Sequence, residues 1–357
     1  MHSQRYHICI IGTTLLPPRK DVGSGVHRYV YELTRNLSTI LGANLEITFV
    51  KYSPPNIIAR YFERFSVANS IRLIRADLYH AIHHHASLPL IFSKKEPAII
   101  TVHDLFPLYG LRPGLFSKER EYILGRYVFP RSQHIITIAN FWKRVLVSFL
   151  KVDENKITVV PVGVDLNTFY PTTPTYRRNN KEKIILYVGG LQKQKGLGIV
   201  LKAFKKVLKV IPNTRLLIAG KGKDEHYFKN LASKLSIDSY TEFLGFVAEN
   251  QLAECYSSAD VFVYPSFIGM GLMTLEAMAC GTPVISTNVF DIPEYLSGVA
   301  LLVEPGNVDQ LARSIISVLS DKSLQEELRK KGLERVRQLS WRNTAEKTLK
   351  IYHRFIQ

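Results

Sequence analysis

Short apolar runs alternate with amphipathic stretches along most of the chain. His7–Gly12 (HICIIG) reads as a first buried strand and Leu45–Val50 as a second. Ala76–Ile82, Ala98–Val102 and His134–Ile138 continue the series, with helical stretches such as Gly25–Leu41 between them. Apolar runs of strand length interleaved with amphipathic helices predict a parallel sheet covered on both faces. The pattern breaks over 161–183, PVGVDLNTFYPTTPTYRRNNKEK, where Pro, Thr, Asn and charged residues dominate, as in a linker. It then restarts. Ile184–Val188, Arg215–Ala219, Thr241–Leu244, Val261–Tyr264 and Pro283–Ser286 read as strands, with Gly198–Val210, Leu272–Cys280 and Trp341–Ile356 as helices.

A chain of 357 residues is too long for one ordinary core and suits two α/β domains. The expected division is 1–165, a linker over 166–183, a second domain over 184–340, and a C-terminal helix over 341–357 that packs back on the first domain. Two doubly wound, Rossmann-like units facing one another would form a central cleft, with ligands at the carboxyl ends of the strands.

The formal net charge of +17 favours an anionic partner: nucleic acid, a membrane surface or a phosphorylated substrate. The charge is spread along the chain and no nucleic-acid-binding motif accompanies it, so a nucleic-acid partner is not expected. No apolar run reaches the roughly 20 residues of a membrane span, and the N-terminus lacks a signal-peptide layout. Cys9, Cys255 and Cys280 are far apart and odd in number, which suits reduced thiols in a cytoplasmic protein. His83, His84 and His85 invite a metal reading. On a strand, adjacent side chains point to opposite faces, so the three are not expected to share an ion. A basic aromatic stretch sets Arg60, Arg64, Arg72 and Arg75 among Tyr61, Phe62 and Phe65. It reads either as an amphipathic helix packed on the sheet or as a surface for anionic lipid.

The densest chemistry lies in YPSFIGMGLMTLEAMACGTPVIS, Tyr264–Ser286. A strand ends, a loop with Gly269 and Gly271 follows, and a helix begins. A helix start offers backbone N–H groups and partial positive charge to a phosphate or an oxygen-rich ligand, and glycines let that ligand approach closely. Glu276, one turn in, reads either as a solvated helical carboxylate or as an acceptor for two hydroxyls of a ribose.

The run GLMTLEAMACGTPVI closely resembles the signature of glycosyltransferase family 4, a retaining group with the GT-B fold. That signature is a Glu, Gly-Phe-Gly-Leu and a second Glu. Gly269, Met270, Gly271 and Leu272 match the middle step, and Glu276 matches the second Glu, which the resemblance makes the ribose ligand. The first Glu, a donor-sugar contact, falls on Ile268. GSGVHRYVYEL resembles the family's glycine-rich loop and helix, which implies that Gly23, Ser24 and Gly25 approach the donor phosphate or the acceptor. TVHDLFPL resembles its strand-end His-Asp, which implies His103 beside the reacting sugar. YVGGLQKQKG resembles the first loop of its second domain. Lys195 matches the diphosphate lysine, Gly190 stands where many relatives have Arg, and Lys193 is the candidate substitute. FLGFV resembles the nucleobase turn, read through the backbone of Phe246 and Val247. ITVVPVGVDLNTFYP resembles the linker, with Val162 in place of Asn, and DIPEYL resembles a Gly-Ile-Pro-Glu segment, with Asp291 in place of Gly.

The resemblance covers almost the whole chain. It implies an acceptor-binding first domain and a nucleotide-sugar-binding second one, with His103, Lys195 and Glu276 as catalytic candidates. The implied reaction moves a hexose from a nucleoside-diphosphate sugar to a hydroxyl of a saccharide, glycolipid or lipid-linked acceptor, with retention. No Asp-X-Asp pair is present, so no metal and no cofactor beyond the sugar donor is expected. Peripheral attachment at the inner face of the membrane goes with a lipid-linked acceptor. The substitutions at 268 and 190 leave a rival reading, a nucleotide-sugar-binding or scaffold protein without catalysis.

Overall fold

The computed structural model describes residues 5–12, 25–51, 66–111, 117–176, 179, 181–269 and 271–356. The chain divides into two compact units, one of Met1–Val162 with Trp341–Gln357 and one of Gly163–Ser340.

The first unit holds a six-stranded sheet of β1 (Tyr6–Gly12), β2 (Leu45–Lys51), β3 (Leu78–Ala81), β4 (Ala98–Val102), β5 (His134–Thr137) and β6 (Ile157–Val159). Its order is β2-β1-β3-β4-β5-β6 and every pairing is parallel. Ile8–Ile11, Ile99, Ile100, Ile135 and Ile136 are buried, as the near-continuous apolar strands of a sheet covered on both faces require. The helix Trp341–Tyr352 belongs to this unit. The Trp341 ring meets Tyr29 edge-on at 5.9 Å, Tyr352 Oη lies 2.7 Å from His80 Nδ1, and the Thr344 hydroxyl donates to the Pro161 carbonyl at 2.8 Å.

The second unit repeats the plan with β7 (Lys183–Val188), β8 (Thr214–Ala219), β9 (Thr241–Gly245), β10 (Val261–Tyr264), β11 (Val284–Thr287) and β12 (Leu301–Val303). The order β12-β11-β10-β7-β8-β9 is again parallel throughout. Residues 164–176 lie along this unit. Phe169 is buried with its ring 6.1 Å from Tyr256, and the amides of Thr172 and Thr175 donate to the hydroxyls of Ser257 and Ser258. Cys9, Cys255 and Cys280 are free and buried, and burial pushes each thiol well up, so they serve as small hydrophobic fillers. Among the described residues, no helix is long and apolar enough to cross a membrane.

Candidate functional site

In an open parallel sheet, ligands bind at the carboxyl ends of the strands where the winding direction reverses. In the second unit that reversal falls between β7 and β10, which pair directly. The loop after β7 carries Gly190, Lys193 and Lys195, and the loop after β10 leads through Gly269 and Gly271 to Glu276.

The two loops are stitched together. The Phe267 amide donates to the Gln194 carbonyl at 3.1 Å. Gly196 sits at φ +83°, the left-handed region that glycine enters at little cost. A Cβ there would fall 2.6 Å from the Pro265 carbonyl carbon and nearer still to its oxygen. Gly271 sits at φ +70°, and a Cβ there would lie 2.8 Å from the Tyr264 ring. On that same ring rests Lys195, with Nζ 5.9 Å from the centroid. Tyr264 is fully buried and forms the wall on which both loops converge. The Lys195 ammonium is thereby carried at the reversal point, half-buried, where Coulomb interactions are less screened than at the surface.

Lys193 is exposed, its Nζ 4.4 Å from the Tyr227 ring centroid and its amide donating to Asp224 Oδ2 at 3.0 Å. Its charge is therefore more screened than that of Lys195. A Cβ on Gly190 would meet nothing within 4 Å, so the loop has room for a side chain there and lacks one. Glu276 is half-buried in the helix Met273–Ala279, which starts one residue later than the sequence suggests. The Tyr256 hydroxyl donates to Glu276 Oε2 at 2.8 Å and fixes the carboxylate. Tyr256 itself sits on another helix, Glu249–Ser258. Ile268 is 3% exposed, its amide and carbonyl both bonded to the Ser266 hydroxyl, and it offers no polar side chain. Phe246 is 67% exposed just beyond β9, where the Gly245 carbonyl accepts from the Gly220 amide at 2.6 Å. Val247 follows, half-buried.

In the first unit the winding reverses between β1 and β3. Gly25 opens the helix Gly25–Leu41, whereas Gly23, Ser24 and, in the second unit, Met270 lie outside the described residues. So do Arg60, Tyr61, Phe62, Arg64 and Phe65 of the basic aromatic stretch. Arg72 from that stretch is exposed and donates to Asn69 Oδ1 and the Phe92 carbonyl, both at 2.9 Å. His103 follows β4, buried, its Nε2 2.9 Å from the Ile82 carbonyl. A carbonyl only accepts, so Nε2 carries the proton. Burial lowers the His103 pKa to about 4, against smaller upward contributions from that hydrogen bond and from Asp104. At neutral pH the ring is uncharged and its Nδ1 is left as an acceptor.

The three adjacent histidines depart from strand alternation. β3 ends at Ala81, and the chain tightens into a 3₁₀ turn over His84–Ala86. Strand alternation no longer applies there, and ligating atoms of His83, His84 and His85 lie within 4.8 Å of one another.

The family model described as Glycosyltransferase Family 4 matches residues 23–168, and the one described as Glycosyl transferases group 1 matches 173–335. An uncharacterized glycosyltransferase of Methanocaldococcus jannaschii is 31% identical over 304 residues, 78% of this chain and 76% of that protein. The chain belongs to glycosyltransferase family 4.

The fold of this glycosyltransferase is GT-B. Sucrose-phosphate synthase from Thermosynechococcus elongatus superposes with a TM-score of 0.82 at 22% identity, over 98% of this chain and 99% of the other. HepE of Anabaena, solved with UDP-glucose, does so with a TM-score of 0.75 at 14% identity, over 98% and 100%. Within the second unit of the glycosyltransferase, Lys195 lies on the loop after β7, and Gly269, Gly271 and Glu276 lie on the loop and helix after β10, the strand that pairs with it. Tyr256 and Tyr264, which hold Glu276 and Lys195, escape a reading of the sequence. Their partners lie on other elements, and buried tyrosines are ordinary core residues in any pattern.

Proposed function

We propose that this glycosyltransferase moves a hexose from a nucleoside-diphosphate sugar to an acceptor hydroxyl with retention of anomeric configuration. The observation that carries this reading is the pairing of β7 with β10 at the reversal of strand order, with Lys195 on one outgoing loop and Glu276 on the other. Support for a nucleotide sugar comes from the fold neighbour HepE, whose crystals hold UDP-glucose.

In this reading Lys195 neutralises the charge that grows on the diphosphate as the glycosidic bond breaks, with Lys193 as a weaker, outer cation. The diphosphate is held without a cation cofactor. Glu276, oriented by Tyr256, accepts hydrogen bonds from the ribose. The backbone over Gly269–Leu272, Met270 included, faces the sugar and phosphates, and Phe246 and Val247 present the nucleobase turn. Gly23, Ser24 and Gly25 approach the phosphate or the acceptor. His103, neutral and with Nδ1 as acceptor, bonds a sugar hydroxyl rather than a phosphate. The leaving phosphate oxygen takes the acceptor proton on the same face of the sugar, so no strong protein base is needed. The acceptor is a saccharide, glycolipid or lipid-linked glycan, and the +17 charge supports work at an anionic, cytoplasmic membrane face.

A thermal-shift screen of nucleoside diphosphates and their sugars tests the donor class, because a ligand that binds only the folded state raises the melting temperature. The best donor is then turned over with saccharide and lipid-linked acceptors, and the product's anomeric configuration is read by NMR. Retained configuration is the expected result. Inversion refutes the mechanism, and donor binding with no transfer to any acceptor favours the non-catalytic reading raised by the apolar Ile268.

A further inference from the structure

We infer that the first unit carries a zinc-type metal site built from His83, His84 and His85 and backed by the carboxylate of Glu121. Three observations lead there. The 3₁₀ turn after β3 gathers ligating atoms of three consecutive histidines within 4.8 Å of one another, with ring centroids 4.1 to 4.7 Å apart. His84 is 1% exposed, and among the described residues its Nδ1 has no hydrogen-bond partner. A buried imidazole nitrogen left in that state is unfavourable, and a metal bond or a solvent ligand removes the penalty.

The third observation is Glu121, a fully buried carboxylate on the short helix Ser117–Ile123. Its Oε1 lies 2.8 Å from His85 Nε2 and its Oε2 3.1 Å from His84 Nε2, and Arg120 reaches Oε1 at 3.3 Å. The contact with His85 is a hydrogen bond, and a carboxylate bonded to one nitrogen of an imidazole fixes the ring and its tautomer, which is how metal-binding histidines are commonly oriented; the approach to His84 Nε2 is electrostatic only. His83 is oriented differently, its Nδ1 accepting the His85 backbone N–H at 3.2 Å.

The donor set selects the ion. Imidazole nitrogens suit Zn²⁺, Co²⁺, Ni²⁺ and Cu²⁺, whereas Mg²⁺ and Ca²⁺ prefer oxygen. Three histidines satisfy three positions of a tetrahedral zinc ion and leave one for water or a substrate oxygen. The cluster lies just past the C-terminal end of β3, one of the two strands where the first sheet reverses, and His103 approaches the His83 ring at 5.9 Å between centroids. That is where the first unit's own ligands would be expected.

The test uses the full chain, stripped with a chelator and titrated with Co²⁺ while visible absorption is recorded. The expected result is one Co²⁺ per chain with the intense d–d bands of a tetrahedral nitrogen site, displaced by Zn²⁺ and untouched by excess Mg²⁺. Glu121→Gln is expected to weaken Zn²⁺ binding by roughly 10- to 100-fold, the usual effect of losing a supporting carboxylate. His83→Gln with His85→Gln, at the two less buried positions, is expected to abolish the bands while circular dichroism shows the chain still folded. His226→Gln, at an exposed position on the helix Glu225–Lys234 of the second unit, should change nothing. Absence of the bands in the wild type overturns the inference, as does equal metal affinity in the folded double variant.

Discussion

Gly196→Ala is a small change with a calculable consequence. The residue sits at φ +83°, where an L side chain costs about 1–2 kcal/mol. The added Cβ would lie 2.6 Å from the Pro265 carbonyl carbon, against an optimum of about 3.5–4 Å, so the loop after β7 and the loop after β10 must part by about 1 Å. Those loops carry Lys195 and the Gly269–Glu276 segment. A displacement of that size at reacting groups costs on the order of 10²-fold in rate. Gly298→Ala is the control, since Gly298 has φ +77° but open space around its Cβ position. It bears the backbone strain without the collision. Steady-state transfer and nucleotide titration are to be run on both variants, with melting temperatures to confirm folding. Gly196→Ala should lose about 10²-fold in turnover and bind nucleotide more weakly, and Gly298→Ala should keep both. Equal behaviour of the two folded variants would refute the claim that contact between these loops sets the site.

Three further outcomes follow from the same geometry. Lys195→Ala should reduce transfer by on the order of 10²-fold, as expected for one lost charge-stabilising donor, and the exposed Lys193→Ala by less; equal losses would contradict the ranking. Tyr256→Phe removes a hydrogen bond to a carboxylate, worth about 1.5–3 kcal/mol in general, so nucleotide affinity should fall; in a Glu276→Ala background the same change should have no further effect, and additive losses would sink the coupling. Burial lowers the pKa of His80 to about 3 and of His103 to about 4, below the unfolded value of about 6.5. The unfolded chain therefore binds more protons between about pH 6.5 and 4. Their stabilising effect is complete above that window and is lost on acidification, at about 2.7 kcal/mol per pH unit near pH 5 for two protons, and a urea midpoint flat from pH 6.5 to 5 would contradict it.

The sequence is legible where a single segment carries the physics. Runs such as IILYV and RLLIA are strands because a parallel sheet buried on both faces demands unbroken apolar side chains. β6 and β12 escape because each is three residues long and only partly buried, too short for a period to register. The stretch read as a linker contains Val164, which bridges to Ser340, and Phe169, which is buried; Pro, Thr and Asn give it irregular backbone without freeing it from the second unit. Lys195 and Glu276 are visible in the pattern, but their supports are not. Tyr264 and Tyr256 reach them across elements, and no local spacing encodes that. Strand alternation fails at the histidine turn for a definite reason: it holds only while the backbone stays extended, and β3 ends at Ala81, three residues before His84.

The most direct measurement is a crystal structure of the full chain with UDP and with GDP. The account predicts the diphosphate at the ends of β7 and β10, with an oxygen about 3 Å from Lys195 Nζ, and the ribose hydroxyls at a similar distance from the Glu276 carboxylate. Nucleotide bound elsewhere in the chain, or at these strand ends with Lys195 and Glu276 both out of reach, would contradict it.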